Sequence, residues 1–280
     1  MSVKTLLVHI DDGVGSKARA QLAARLAHDV GARLIGAYLV PTAEMTPSVA
    51  ALIPGDVLAR RMSETGRAQE TAEALFRRAA TDAGVDAIEW RAPSGNALDE
   101  AVIHGRYCDL MVLGQPDADD PFTLFASEIL TASLLGLGRP ILVVPYIGAH
   151  GSLGKRILVA TDGGREASRA IGDAWLLLQR ASAVKVLAGV AGDGARAPSF
   201  TQTSARLTQW FRDHGIEPDV ERYEAEAGDH GEWLLSRASD FAADLIVMGG
   251  YGHPRLREVV LGGMTRTILR TMTSPVLLAH

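Results

Sequence analysis

The chain contains an internal repeat, and this repeat constrains its fold more than any other feature of the sequence. Residues 6–13 read LLVHIDDG and residues 157–164 read ILVATDGG, so each copy is an apolar run ending in aspartate and glycine. Two further pairs of segments recur 135 residues apart, CDLMVLG at 108–114 with ADLIVMG at 243–249, and RPILVV at 139–144 with SPVLLA at 274–279. Self-similarity on this scale predicts two homologous domains.

The length and composition agree with two domains. The 280 residues, 47% of them hydrophobic, suffice for two cores of the usual domain size of about 100–150 residues. Residues 146–154 contain three glycines and no apolar periodicity, which predicts a linker. The predicted domains therefore span residues 1–147 and 153–280.

Apolar strands alternate with helical segments in both copies. Runs such as LIVM at 245–248 are typical of strands that are buried on both faces of a parallel sheet. Their alternation with helices predicts an α/β fold in which each domain has a doubly wound sheet of five parallel strands. The strands predicted in the second domain span residues 156–161, 184–190, 220–223, 244–249 and 275–279.

The first domain carries an insertion. Asp11 and Asp162 are 151 residues apart, whereas the later repeats are 135 apart, so about 16 extra residues lie between the first and fourth strands. We place them around residues 41–61, before a long helix predicted at 57–83. A lid or partner surface and a solvated loop both remain open for this insertion.

Composition and missing motifs exclude several classes of function. The net charge of -5 and pI of 5.9 argue against a nucleic-acid partner, and no apolar run approaches a membrane span. The chain shows no signal peptide, and its lone Cys108, predicted to be buried, cannot form an intrachain disulfide; we therefore expect a cytoplasmic protein. The sequence lacks four motifs: the glycine-rich dinucleotide-binding motif, the P-loop, the G-x-S-x-G motif of serine hydrolases and a pair of histidines spaced to bind zinc. No catalytic residue or metal site is therefore predicted.

Glycines follow the fourth strand of the second domain. Gly249 and Gly252 are followed, after nine residues, by Gly262 and Gly263, which open the last predicted helix. Ligands of open parallel sheets bind beyond the carboxyl ends of the strands, and glycines let the backbone N–H groups at a helix start approach an anion. The spacing fits a phosphate site for an adenine nucleotide, and it also fits tight turns without a ligand.

The second domain resembles the universal stress protein family. The resemblance rests on residues 157–162, 244–249, 251–253, 262–265 and 275–277. Members that bind ATP carry G-x-x-G, nine residues, then G-[S/T]; here glycine, Gly263, stands at the hydroxyl position. One lost hydroxyl bond is worth about 0.5–1.5 kcal/mol, so this departure weakens binding rather than abolishing it.

The resemblance implies a Rossmann-like fold of the adenine nucleotide alpha hydrolase type and a role for each site residue. Residues up to Asp162 would face base and ribose, Val190 would contact adenine, and the glycine segments would hold ribose and phosphates. ATP is the implied cofactor, with Mg²⁺ as the ion that would accompany it. Thr265 either supplies a substitute hydroxyl or satisfies a nearby backbone group. The implied nucleotide-binding residues are Ala160, Thr161, Asp162, Val190, Met248, Gly249, Gly252, His253, Gly262, Gly263, Met264 and Thr265.

The first domain differs at the same positions. The 135-residue offset places Asp117, Ser127 and Glu128 where the second domain has Gly252, Gly262 and Gly263. Like charges about 4 Å apart cost on the order of 1 kcal/mol each even in water, so we predict that this domain does not bind ATP. The acidic residues Asp117, Asp119 and Asp120 form either a divalent-cation site or a solvated surface loop.

Two hypotheses about function follow. The first is a stress-response module that binds ATP in its second domain, and the second is a ligand-free scaffold that acts through protein–protein interaction. A slow ATPase activity near His253 and Asp162 is left open. The resemblance also implies that the last strands, at 141–144 and 276–278, pair within the chain as a pseudo-dimer, with a homodimer as a further expectation.

Overall fold

The computed structural model describes residues 3–41, 54–117, 119–120, 123–148, 151–189, 200–223, 230–250 and 263–280. Within these residues both halves alternate strands and helices, as predicted. The strands are β1 Thr5–Ile10, β2 Arg33–Tyr38, β3 Ile88–Arg91, β4 Leu110–Gly114, β5 Ile141–Val144, β6 Arg156–Thr161, β7 Ala183–Ala188, β8 Asp219–Arg222, β9 Leu245–Gly249 and β10 Val276–Ala279. The helices are α1 Ser16–Val30, α2 Gly55–Ala83, α3 Ala97–Gly105, α4 Thr123–Gly136, α5 Arg165–Asp173, α6 Trp175–Leu178, α7 Phe200–Asp213, α8 His230–Asp240 and α9 Gly263–Thr271.

The described strands form one sheet in the order β3-β2-β1-β4-β5-β10-β9-β6-β7-β8. Neighbouring strands are parallel within each half, which confirms the predicted doubly wound topology. In each half the strand order reverses between the first and fourth strands, that is, between β1 and β4 and between β6 and β9. A doubly wound sheet binds its ligands at this reversal.

Several predicted boundaries were wrong by one or two residues. The strand predicted at 184–190 is Ala183–Ala188, because Gly189 turns the backbone into the left-handed region with φ of 93°. The strands predicted at 220–223, 244–249 and 275–279 are Asp219–Arg222, Leu245–Gly249 and Val276–Ala279. Helix α2 begins at Gly55 rather than at residue 57, directly after Pro54. Most of the predicted insertion, residues 42–53, lies outside the described residues.

The two halves join through their last strands. Strands β5 and β10 pair antiparallel, with Leu142 opposite Leu277, as the resemblance implied. Two further contacts join the halves beside β5 and β10, and they involve equivalent positions of the repeat. The side-chain amide of Gln115 donates to the carbonyl of Leu269 at 2.9 Å, and Gly250 packs against Leu134, where an added Cβ would lie 2.9 Å from a methyl carbon. Positions 115 and 250, like 134 and 269, are 135 apart, so the contacts obey the sequence repeat.

The core forms two layers, one on each face of the sheet. Alternate strand residues point to opposite faces. Val8 and Val159 face helices α1, α2, α5, α6 and α7, whereas Leu7 and Leu158 face α3, α4, α8 and α9. Each layer contains buried residues from both halves, so the halves share one continuous core on either side of the sheet.

Cys108 is buried, as predicted. Its thiol donates to the carbonyl of Gly105 at 3.0 Å, and burial raises its pKa to about 12. A thiol with this pKa is a poor nucleophile at neutral pH. Among the described residues, no helix is both long and apolar enough to cross a membrane.

A repeated aspartate ties the fourth strand of each half to the first. Asp244 accepts hydrogen bonds from the backbone N–H groups of Lys155 and Arg156, both at 2.9 Å, and from the hydroxyl of Ser152 at 2.8 Å. Asp109 likewise accepts from the N–H groups of Lys4 and Thr5. The backbone donors explain why both copies carry aspartate before this strand.

Replacing Asp244 by alanine is expected to lower the free energy of unfolding by about 1–3 kcal/mol, because three donors at the start of β6 lose their acceptor. Chemical denaturation measures the change. Asp240→Ala is the matched control, because Asp240 is exposed and makes an ion pair of 3.6 Å with Arg237 on the protein surface. We expect that control to stay within about 0.5 kcal/mol of the wild type; equal stability of both variants would contradict the prediction.

Candidate functional site

The predicted site of the second half begins where β6 and β9 end. The two strands are neighbours, and Ala160 lies opposite Met248 in their register. Helix α9 precedes β10, which runs parallel to β9, so the start of α9 lies at the same edge of the sheet. The structure therefore brings these three predicted segments to one edge, at the reversal of strand order.

Hydrogen bonds shape the loop after β6. The hydroxyl of Thr161 accepts from the N–H of Gly163 at 3.0 Å, and Oδ1 of Asp162 accepts from the N–H of Gly164 at 2.7 Å. Gly163 has φ of 74°, which favours glycine at this turn. Thr161 is buried, whereas the carboxylate of Asp162 is held in an exposed position beyond the strand end.

Gly249 has a packing role that the sequence did not reveal. A Cβ at this position would lie 2.7 Å from the backbone nitrogen of Ala167 and 2.9 Å from the carbonyl carbon of Glu166. The end of β9 thus contacts the backbone of α5 directly, and any side chain would force the two apart. Close packing by itself accounts for glycine here.

Helix α9 begins with an exposed glycine. A Cβ on Gly263 would meet no atom of the described residues within 4 Å. Met264 is half-buried and Thr265 is buried, which leaves Gly263 as the exposed member of the three. The other predicted site residues, Val190, Gly252, His253 and Gly262, lie outside the described residues.

The first half contains a small cavity of about 50 Å³, open to solvent, beyond the carboxyl ends of β1 and β4. Sequence reasoning treated the first half only as a degenerate nucleotide site and missed the cavity. The polar residues that line it are His9, Asp11, Asp12, Arg19, Gln115, Asp117, Asp120, Thr123 and Tyr146.

An ion pair forms the floor of this cavity. Nη2 of Arg19 lies 2.9 Å from Oδ2 of Asp11, and both side chains also bond to the hydroxyl of Ser16. Burial would raise the pKa of Asp11, but the Arg19 guanidinium and the hydrogen-bond donors around the carboxylate hold it well below its usual range. Asp11 is therefore ionised at neutral pH.

His9 lies beside the ion pair and is almost fully buried. Its Nε2 is 2.7 Å from the carbonyl oxygen of Leu39, so Nε2 must carry the proton that it donates. Burial lowers the pKa of His9 to about 4, and the ring is neutral at neutral pH. Its lone pair is then on Nδ1, which lies 3.7 Å from Oδ2 of Asp11.

The three aspartates that follow β4, at positions 117, 119 and 120, differ in their surroundings. Asp117 and Asp120 line the cavity, whereas Asp119 is exposed and its N–H donates to Oδ1 of Asp117 at 3.1 Å. No group of three or more metal-binding side chains suited to an ion occurs within the described ranges, so the structure lends the cation-site alternative no support.

Comparisons with known proteins agree with this architecture. Residues 154–280 match the model of the universal stress protein family. The whole structure is similar to a universal stress protein from Archaeoglobus fulgidus DSM 4304, with a TM-score of 0.73, 15% identity, and coverage of 100% of this chain and 99% of that one. A functionally unknown protein from Pseudomonas aeruginosa PAO1 is similar with a TM-score of 0.56, 16% identity, and coverage of 99% and 92%. Curated protein sequences gave no match.

The second half of the chain is therefore a universal stress protein domain, which confirms the resemblance seen in its motifs. At these low identities, the structural neighbours establish the fold alone. They show that a solved structure shares the arrangement of both halves over the full length of this chain.

Proposed function

We propose that the second domain binds an adenine nucleotide, ATP, and that the protein is a cytoplasmic stress-response module controlled by that nucleotide rather than an enzyme. The observation that carries the proposal is the exposed start of helix α9 at Gly263, at the edge of the sheet where β6 and β9 end. The family assignment of residues 154–280 supports it.

The described residues fit such a ligand. The first N–H groups of a helix have no partner within the helix and carry partial positive charge, so the start of α9 suits phosphate oxygens. The carboxylate of Asp162 is exposed and suits the hydroxyl groups of ribose as an acceptor. The buried side chains of Ala160 and Met248 give the strand ends an apolar surface against which a base would pack. Mg²⁺ would enter with the triphosphate.

A charge placed at Gly263 tests the proposal. In Gly263→Glu the helix start acquires the residue that the first half has at that offset, Glu128, and we expect ATP affinity to fall at least about tenfold by repulsion. Gly263→Gln has the same shape without the charge and is expected to bind more tightly than the glutamate variant. Since a Cβ here meets no atom within 4 Å in the part of the chain that the structure describes, both variants should fold normally.

Calorimetric titration of ATP into the full chain measures these affinities. We expect one site per chain, and Gly263→Ser, which restores the hydroxyl of the family signature, should bind up to about tenfold more tightly. Equal affinities of the glutamate and glutamine variants would place the phosphates elsewhere. No heat at millimolar ATP would favour the scaffold hypothesis instead.

A further inference from the structure

The first half of the chain contacts two segments on which the proposed nucleotide site of the second half depends. One is the glycine segment that follows β9, and the other is helix α9, whose start is the proposed phosphate site. Leu134 of helix α4 packs against the glycine segment at Gly250, and Gln115, directly after β4, bonds to α9. All the predicted nucleotide-binding residues belong to the second half, so both contacts reach the site from the other domain.

The side chain of Leu134 fills the space that a side chain at position 250 would occupy. A Cβ on Gly250 would lie 2.9 Å from Cδ2 and 3.2 Å from Cδ1 of Leu134. Leu134 is buried, and it belongs to a core layer that both halves share. The N–H of Gly250 also donates to the carbonyl of Ala279 at 2.8 Å, and its carbonyl oxygen lies 3.1 Å from Nδ1 of His280. The glycine segment is therefore held by the end of β10 and by the first half together.

Gln115 contacts helix α9 near its carboxyl end. The carbonyl groups in the last turn of a helix lack partners within the helix, and α9 ends at Thr271. The side-chain amide of Gln115 donates to the carbonyl of Leu269 in this turn at 2.9 Å, while its Oε1 accepts from the N–H of Tyr146 at 3.1 Å. Gln115 is buried, so water competes little for these bonds. The first half thus caps one end of the helix whose other end is the proposed phosphate site.

Phosphate binding by backbone N–H groups depends strongly on where the backbone lies. These groups cannot extend toward a ligand as a long side chain can, and a hydrogen bond weakens steeply when its distance and angle depart from the optimum. A site that is already fixed in its binding conformation also avoids the cost of ordering it when the ligand binds. Contacts that fix the glycine segment and α9 are therefore expected to raise nucleotide affinity without touching the nucleotide.

We propose that the first domain positions the nucleotide site of the second domain, with Leu134 and Gln115 as the positioning residues. The inference rests on the ATP site proposed above. It gives a role to a half in which Asp117 and Glu128 stand at the positions of two glycines of the site. ATP affinity in the second domain then depends on side-chain contacts between the halves.

Leu134→Ala removes the packing on Gly250 and is expected to weaken ATP binding at least about fivefold in calorimetric titration of the full chain. Leu137→Ala is the matched control, because Leu137 is also buried, directly follows α4, and packs against Gly105 within the first half. We expect this control to bind ATP within about twofold of the wild type. Leu134→Met refills the space with a side chain of similar volume and should restore binding to within about twofold.

The titrations separate this inference from the proposed function on which it rests. ATP binding of equal strength in the wild type and in Leu134→Ala would overturn the positioning role and leave the nucleotide site intact. A wild type that binds no ATP would overturn the nucleotide site and this inference with it.

Gly250→Ala tests the same contact from the other side. The added methyl group presses on Leu134, so we expect ATP binding to weaken at least about threefold. In the Leu134→Ala background the space beside position 250 is free, and the same substitution should then cost less than about twofold. Equal fold-changes in the two backgrounds would contradict a role for this contact.

Gln115→Met tests the contact with α9. Methionine has a similar length but leaves the carbonyl of Leu269 without this donor, and we expect ATP binding to weaken at least about threefold. Gln209→Met is the control, because Gln209 is exposed and its amide bonds to Asp213 within helix α7; its ATP affinity should stay within about twofold of the wild type. Unchanged affinity in both Gly250→Ala and Gln115→Met would overturn the proposal even if Leu134→Ala does not fold.

Discussion

Arg19→Met is expected to lower the free energy of unfolding by about 3 kcal/mol. The Arg19 side chain is almost fully buried, and its Nε donates to the carbonyl of His9 at 2.6 Å while Nη2 contacts Asp11 and Ser16. Methionine fills a similar volume but leaves the carboxylate of Asp11 without its cation and removes one hydrogen-bond donor each from the carbonyl of His9 and the hydroxyl of Ser16. Removing one partner of a buried ion pair is far more costly than removing an exposed charge.

Chemical denaturation measures this loss, with Lys17→Met as the control. Lys17 is exposed on the same helix, so its replacement removes the same charge without a buried partner, and we expect a change within about 0.5 kcal/mol. The double variant Asp11→Asn with Arg19→Met should lose less than the two single variants together, because it leaves no unpaired charge. Strict additivity would mean that the two side chains act independently.

The stability of the wild type is expected to fall by about 2–3 kcal/mol through His9 alone between pH 7 and pH 4.5. Burial lowers the pKa of His9 from 6.5 to about 4 in the folded protein. As the pH falls through this interval, the unfolded chain takes up a proton on His9 and the folded protein does not, so unfolding becomes more favourable. Each unit of pKa difference corresponds to about 1.4 kcal/mol.

His9→Gln removes the titrating group. Between pH 7 and pH 4.5 the free energy of unfolding of this variant should therefore fall by about 2–3 kcal/mol less than that of the wild type. Chemical denaturation at several pH values measures the difference. Asp11 does not obscure the result. Its pKa is lowered in the folded protein, so the stability that its carboxylate contributes is lost as the pH falls below its ordinary pKa of 3.8. The wild-type curve should therefore diverge from that of the variant above pH 4.5. Parallel curves would show that His9 is protonated in the folded protein.

The two halves carry different charged residues on the same framework. By the offset of 151 that relates the first strands, Arg19 of the first half corresponds to Ala170, which is buried in the second. By the offset of 135, Glu128 corresponds to the exposed Gly263. A few substitutions thus change which charged side chains lie near the strand ends of each half, without a change of fold.

The architecture could be predicted closely from the sequence. The repeat indicated two domains, the apolar runs indicated parallel strands, and the motifs of the second half indicated its family. These features depend on local patterns, because periodicity and the positions of glycine report burial and turns along the chain itself. The pairing of β5 with β10 was implied by the family resemblance alone. Strand ends such as Ala188 were missed by one or two residues, because the turn that stops a strand depends on a single backbone angle.

The character of the first-half cavity was decided by tertiary structure. Asp117 and Asp120 are about a hundred residues from His9 and Asp11 in sequence, and the pairing of β1 with β4 brings their loops to one edge of the sheet. Gly249 likewise gained a packing role when α5 lay against β9. The sequence by itself determined which side chains each strand end carries; which of them meet was settled by strand order and helix packing, because contact energies depend on distances that only the folded chain defines.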